Sequence, residues 1–252
     1  MDKTLLKGLA VLEAIAEMQG GARVIEDVAA RLGLSRSNAH RTLQTLIHAG
    51  YVERDPAHGG YRATMKMFGL GVRQLNRLDV RRVAPPFMAR LARETGETIH
   101  LSVLDGLEVV YVDKIDSEHA VRAYTVVGGR APAHAVATGK ALLAAGGTAV
   151  LDRLPAHLPG FTAATVTDTE AMREELRRAA RIGYAVNRGE WRDGVGGLAA
   201  PVFDGFDRPV AALGISGPLN RLTAARLKAL APRVIEAAAE LSRALGHARA
   251  ST

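Results

Sequence analysis

Residues 25–49 read IEDVAARLGLSRSNAHRTLQTLIHA. Val28, Ala29 and Leu32 fall at i, i+1 and i+4, an apolar stripe on one short helix. Leu43, Leu46 and Ile47 repeat the pattern on a second helix. Gly33 can take the backbone geometry that ends the first helix. Ser35 can cap the second, since its hydroxyl accepts from N–H groups left unpaired there. The spacing predicts a helix-turn-helix. Its second helix opens on Arg36, Ser37 and Asn38, followed by His40 and Arg41, side chains suited to base edges and phosphates. Taken alone, the stretch also fits an ordinary helical hairpin with a solvated polar face.

The flanks favour the first reading. A helix is expected over Lys3 to Met18, with Leu5, Leu9, Leu12 and Ile15 on one face. A hairpin is expected downstream, Tyr51 to Arg54 against Tyr61 to Ala63, turning through Asp55-Pro56-Ala57-His58-Gly59-Gly60. Three helices and a β-wing make a winged helix, placed at residues 1–70. Arg54, Arg62 and Lys66 are the expected phosphate contacts on the wing side.

Charge follows the same division. Residues 1–82 carry 13 Lys+Arg against 8 Asp+Glu, while the remainder carries 20 against 18. The basic surplus sits where a polyanion binder needs it. The chain has no cysteine, which excludes disulfides, cysteine-ligated zinc and thiol catalysis. That fits a reducing cytoplasm, the expected location. The N-terminus interleaves charges with apolar residues, unlike a signal peptide, and no apolar run is long enough to span a membrane.

A helix is expected from Met65 to Arg82, broken by Val83-Ala84-Pro85-Pro86; residues 71–84 are the expected helical linker. Residues 85–252 form the second expected domain. Its pattern after Gly96 turns to period two, with strands over Thr98 to Leu104, Glu108 to Ile115 and Val121 to Val126. Ala133 to Ala145 reads as a helix, and Thr167 to Glu170 as a capping box opening another. Strands at Tyr184 to Asn187, Gly197 to Phe203 and Pro209 to Ser216 precede a helix from Thr223 to Leu245, which Pro232 is expected to bend. The second domain is therefore α+β, with a mostly antiparallel sheet and helices on one or both faces.

Two of its stretches can hold a ligand. In RAPAHAVATGK (residues 130–140) a helix begins near His134 with small residues, and its free N–H groups suit a carboxylate or phosphate. A tightly packed helix start fits those residues equally well. The second is RGEWRDGVGG (residues 188–197), a glycine-rich loop with the only Trp. It does not fit the dinucleotide fingerprint, because it runs from strand into strand. No nucleophile elbow, HExxH or P-loop is present, and the eight histidines lack metal spacing. No catalytic residue, metal or cofactor is expected.

Over nearly its whole length the chain resembles the IclR family of bacterial transcriptional regulators. The matching pieces are LLKGLAVLEAIAE, LGLSRSNAHRTLQTLIHAGYVERD, HLSVLDGLEVVYVDKI, APAHAVATGKALLA, GYAVNRGEW, AAPVFD and AALGISGPLNRLT. The resemblance implies an N-terminal winged helix joined to a GAF-like effector domain, in dimers or dimers of dimers. It implies binding to double-stranded operator DNA of a catabolic operon, repressed or activated in response to a small organic or aromatic carboxylic acid. The alternative is a constitutive DNA-binding protein with no small ligand. Carried over by position, the effector contacts fall on Ala137, Thr138, Asn187, Val195, Gly197, Gly214 and Ser216. Asn187, Gly197 and Gly214 stand where relatives often have an acid, a cysteine and a serine. The smaller residues imply more room in the pocket, hence a bulkier and even aromatic acid.

Overall fold

The computed structural model describes residues 1–18, 25–55, 60–75 and 79–247, and the chain divides into two compact units, 1–77 and 78–252. The first unit begins with α1 (Lys3–Glu17), α2 (Ile25–Leu32) and α3 (Arg36–His48). The two-stranded β1 (Val52–Arg54) and β2 (Tyr61–Ala63) and the helix α4 (Met65–Leu75) follow. Asp2 Oδ1 caps α1, accepting from Thr4 N at 2.8 Å, and Ser35 Oγ caps α3, accepting from Asn38 N at 3.4 Å. Gly33 turns the chain between α2 and α3 at φ +62°, a left-handed conformation that costs glycine least. Val11, Ile15, Val28, Leu43, Val52 and Tyr61 form the core beneath. The order of helices, turn and wing is that of a winged helix-turn-helix. The wing tip expected at residues 56–59 lies outside the described residues.

The second unit starts with α5 (Asp79–Val83) and α6 (Pro85–Thr95), with prolines in the first turn of α6. The helix expected from Met65 to Arg82 is described over α4 and α5, and residues 76–78 between them lie outside the described residues. The sheet comprises β3 (Thr98–Asp105), β4 (Glu108–Ile115), β5 (Arg130–Pro132), β6 (Ala185–Arg188), β7 (Val195–Phe203) and β8 (Pro209–Pro218). The spatial order is β5-β4-β3-β8-β7-β6, antiparallel throughout. Between β5 and β6 come a 3₁₀ turn (Ala133–Ala135), α7 (Ala137–Ala145), α8 (Gly147–Leu151) and α9 (Thr169–Ile182); α10 (Ala224–Ala244) closes the fold. Pro232 sits inside α10.

Strand alternation assigns the faces. Gly197 of β7 and Gly214 of β8 point at Ala137 and Thr138, so α7, with α9 packed on it, covers that face. Leu198, Ala200, Leu213 and Ile215 point the other way, toward the side where α10 packs with α6. The core on the α7 side includes Ala141, Leu142, Leu143 and Ala144 of α7 with Met172, Leu176 and Ala179 of α9. It follows that α10 and α7 sandwich the sheet, each covering one face.

Three expectations are corrected. Val121 to Val126 is not a strand: residues 116–127 form an irregular strap, and β4's further partner is β5. The helix expected from Ala133 is broken at Val136, whose extended backbone (φ −126°, ψ 148°) separates the 3₁₀ turn from α7. The cap of α9 is Asp168, which accepts from Ala171 N at 2.8 Å, one residue later than the expected Thr167.

Candidate functional site

Two surfaces carry the site residues expected from the sequence. On the first unit, Arg36, Ser37, His40 and Arg41 are exposed on α3 and Asn38 is half-buried. Arg41 donates to Asn38 Oδ1 at 3.0 Å, which fixes both side chains. Arg36 pairs with Glu26 of α2 at 2.8 Å, and Arg62 with Glu53 across the wing at 2.7 Å. Both pairs are exposed, worth little in water and readily exchanged for phosphate. Ser35 serves as the α3 cap. Arg54 stands 5.9 Å from the Tyr61 ring centroid. Lys66 has a task that the sequence did not signal: it donates to Ala49 O at 2.6 Å, just past α3, and lies over the Tyr51 ring.

On the second unit, a cleft of about 50 Å³ opens at the start of α7. Six of the seven positions expected from the resemblance line it: Ala137, Thr138, Asn187, Val195, Gly197 and Ser216. Gly214 does not; it lies beneath Thr138, and a Cβ there would come within 2.7 Å of Ala199 Cβ. A Cβ on Gly197 would stand 2.8 Å from Ile215 O. The resemblance implied more room at these glycines; in the fold, a Cβ at either would need its neighbours to shift.

Around the start of α7 the cleft is fitted with neutral polar groups. No side chain among the described residues caps α7 at Val136, which leaves the first N–H groups of the helix without a side-chain acceptor. Thr138 is a buried residue on the cleft wall, and its hydroxyl makes no hydrogen bond among the described residues. Asn187 Oδ1 accepts from Glu190 N at 2.9 Å, which leaves its amide nitrogen to donate. Sequence reasoning missed the opposite wall: His100, Tyr111, Thr125 and Arg192. The only signal was the Gly-rich loop around Trp191. Arg192 lies 4.4 Å from the Trp191 ring centroid and donates to Tyr124 O at 3.2 Å. The strap's carbonyls are held by three cations: Arg192 on Tyr124, Lys114 on Thr125 (2.7 Å) and Arg221 on Val121 (2.9 Å).

His100 Nε2 and Thr125 Oγ1 share a hydrogen bond of 2.9 Å. Burial, helped by nearby Lys114, lowers the His100 pKa to about 4, so the ring is neutral; burial also pushes the Tyr111 hydroxyl up to about 12. An acid-stability prediction follows. Below pH 6.5 the unfolded chain takes up a proton that folded His100 refuses until about pH 4. The stabilisation is complete above that window and falls through it, a loss of about 3 kcal/mol by its lower end. Urea unfolding at a series of pH values should show wild type falling more steeply than His100→Gln between about pH 7 and about pH 4. Parallel curves would refute it.

Residues 4–56 match the IclR helix-turn-helix domain, and residues 72–243 match the bacterial transcriptional regulator IclR C-terminal domain. The chain belongs to the IclR family. It is 37% identical to the HTH-type transcriptional regulator XynR of Escherichia coli (strain K12) over 246 residues, 96% of each chain. The Thermotoga maritima IclR structure superposes with a TM-score of 0.80 at 29% identity, covering 97% of this chain and 99% of that one. An IclR homolog from Microbacterium hydrocarbonoxydans, solved in complex with 4-hydroxybenzoate, gives 0.81 at 30% identity, covering 96% and 99%. This IclR-family protein therefore pairs a DNA-binding helix-turn-helix domain with an α+β, GAF-like effector domain and acts in transcription regulation. Among the described residues no helix is long and apolar enough to cross a membrane.

Proposed function

We propose that this protein is an effector-responsive regulator of a catabolic operon whose DNA affinity is set by a small carboxylic acid bound at the start of α7. The supporting observation is the cleft itself. Uncapped N–H groups and a partnerless Thr138 hydroxyl meet there, with no carboxylate among the lining side chains. Such a site favours an anion. The binding of 4-hydroxybenzoate by the Microbacterium relative supports an acid as the ligand class. A homodimer, or a dimer of dimers, would set two α3 helices in successive major grooves of a two-fold operator. The acid changes DNA affinity only by its differential affinity for the two states of the protein, typically about 5- to 150-fold.

The test is a gel shift on the gene's own upstream region with a panel of small acids. Binding that one acid weakens or strengthens supports the reading. Binding that no acid alters points to a constitutive DNA-binding protein.

Within the DNA face, Arg41 on α3 is assigned to bases and Arg62 on the wing to phosphate. Arg41→Ala should cost about 1–3 kcal/mol on the matched operator and far less on mismatched ones. Arg62→Ala should weaken all operators alike and lower the salt slope by about one. Anisotropy titrations across salt on both kinds of operator check this. Indistinguishable behaviour of the two variants would end the division of roles.

A further inference from the structure

We infer that Arg192 is a second anion anchor in the effector cleft, which makes the preferred effector a short diacid with one anionic group at each anchor. The inference rests on the proposed reading of the cleft as an acid-binding site and narrows its ligand class.

Among the side chains lining the cleft, Arg192 alone bears a formal charge at neutral pH. Its neighbours there are uncharged: His100, Tyr111, Thr125 and Asn187 hold no countercharge for it. Among the described residues Arg192 makes no ion pair, unlike Arg130, Arg208 and Arg221 of the same domain. Yet it is held. The guanidinium lies over Trp191 and spends one hydrogen bond on the neutral carbonyl of Tyr124. Five N–H donors in a rigid fork suit a carboxylate, and a bond to a charged acceptor is roughly twice as strong as one to a neutral acceptor. A carboxylate in the cleft would take that place.

The other anchor is independent. It comprises the N–H groups at the start of α7 and the hydroxyl of Thr138, a residue 5% exposed whose hydroxyl makes no hydrogen bond among the described residues. A monoacid engages one anchor and leaves the other unused. A diacid engages both. Size limits its length: the cleft measures about 50 Å³. That suits a backbone of a few carbons and not a large ring system.

Isothermal titration of the full chain with malonate, succinate and glutarate, each against the monoacid of equal carbon count, tests this. Wild type is expected to bind one diacid at least about tenfold more tightly than its matched monoacid. Arg192→Gln should bring that ratio close to one, and Arg192→Lys, which keeps the charge but loses the fork, should restore part of it. Equal affinity for mono- and diacids in wild type, or a ratio that survives Arg192→Gln, overturns the second anchor and leaves the acid-binding reading standing. Binding of no acid in the panel, with DNA affinity unmoved by any, overturns both.

Discussion

Lys140→Met should destabilise the effector domain by about 3–5 kcal/mol, the cost of breaking a buried ion pair from one side. Lys140 is wholly buried on α7. Its ammonium pairs with Glu175 of α9 at 2.7 Å and with Glu190 of the Trp191 loop, and it donates to Val186 O on β6 at 3.3 Å. One side chain thus joins a helix, an edge strand and a wall of the cleft. Burial already raises the Glu190 pKa, and Lys140 is the main opposing influence. Without Lys140 that carboxyl must take up a proton or remain charged with no cation beside it. For a domain of this size the loss corresponds to a fall in Tm on the order of 10 °C. Calorimetry of Lys140→Met beside Lys140→Met/Glu190→Gln checks the cause. The double variant should regain part of the loss, since it removes the orphaned charge. A single variant as stable as wild type, or a double no better than the single, would refute this account.

Gly139→Ala should also be severe, on the order of 3 kcal/mol, at the upper end of ordinary overpacking. A Cβ at Gly139 would fall 2.2 Å from Ala133 O and 2.3 Å from Ala133 Cα. Both are backbone atoms of the 3₁₀ turn, so the turn and α7 must separate. The gain in helix propensity, about 1 kcal/mol, is smaller than that strain. Because the proposed acid site includes the first N–H groups of α7, loss of acid binding should accompany the loss of stability. Gly8→Ala is the control: it lies in α1 with nothing within 4 Å of its would-be Cβ, and should be neutral or stabilising. Chemical denaturation of both variants decides it. Equal stability of the two would show that the turn can yield.

The DNA-binding half was legible because its signals are local. Gly33 and Ser35 mark the turn, and apolar spacing marks the faces of α2 and α3. The sheet was legible wherever a strand had a periodic pattern and a turn beside it. Residues 121–126 misled because Val, Tyr and Thr favour strands, while the residue composition says nothing about partners. In the fold their carbonyls bond Lys114, Arg192 and Arg221, which lie far away in sequence or in other elements. At three residues, β5 is too short to show a period. Family resemblance supplied six lining positions of the cleft but not Arg192 or His100, although Arg192 lies in the Gly-rich loop that the sequence marked as able to hold a ligand. Lys140 was invisible as well. A lysine in a helical pattern looks solvated until Glu175 and Glu190, 35 and 50 positions on, are folded against it.

The strap over the cleft is gripped by its backbone, and this bears on how such a protein changes over generations. Every residue carries a carbonyl, so replacing the side chains of Val121 or Tyr124 leaves the bonds from Arg221 and Arg192 available. Tyr124 lines the cleft. Selection can therefore vary what this wall presents to a ligand without loosening its attachment. A lineage can vary the cleft by single substitutions in the strap, each tolerated by the fold before it proves useful.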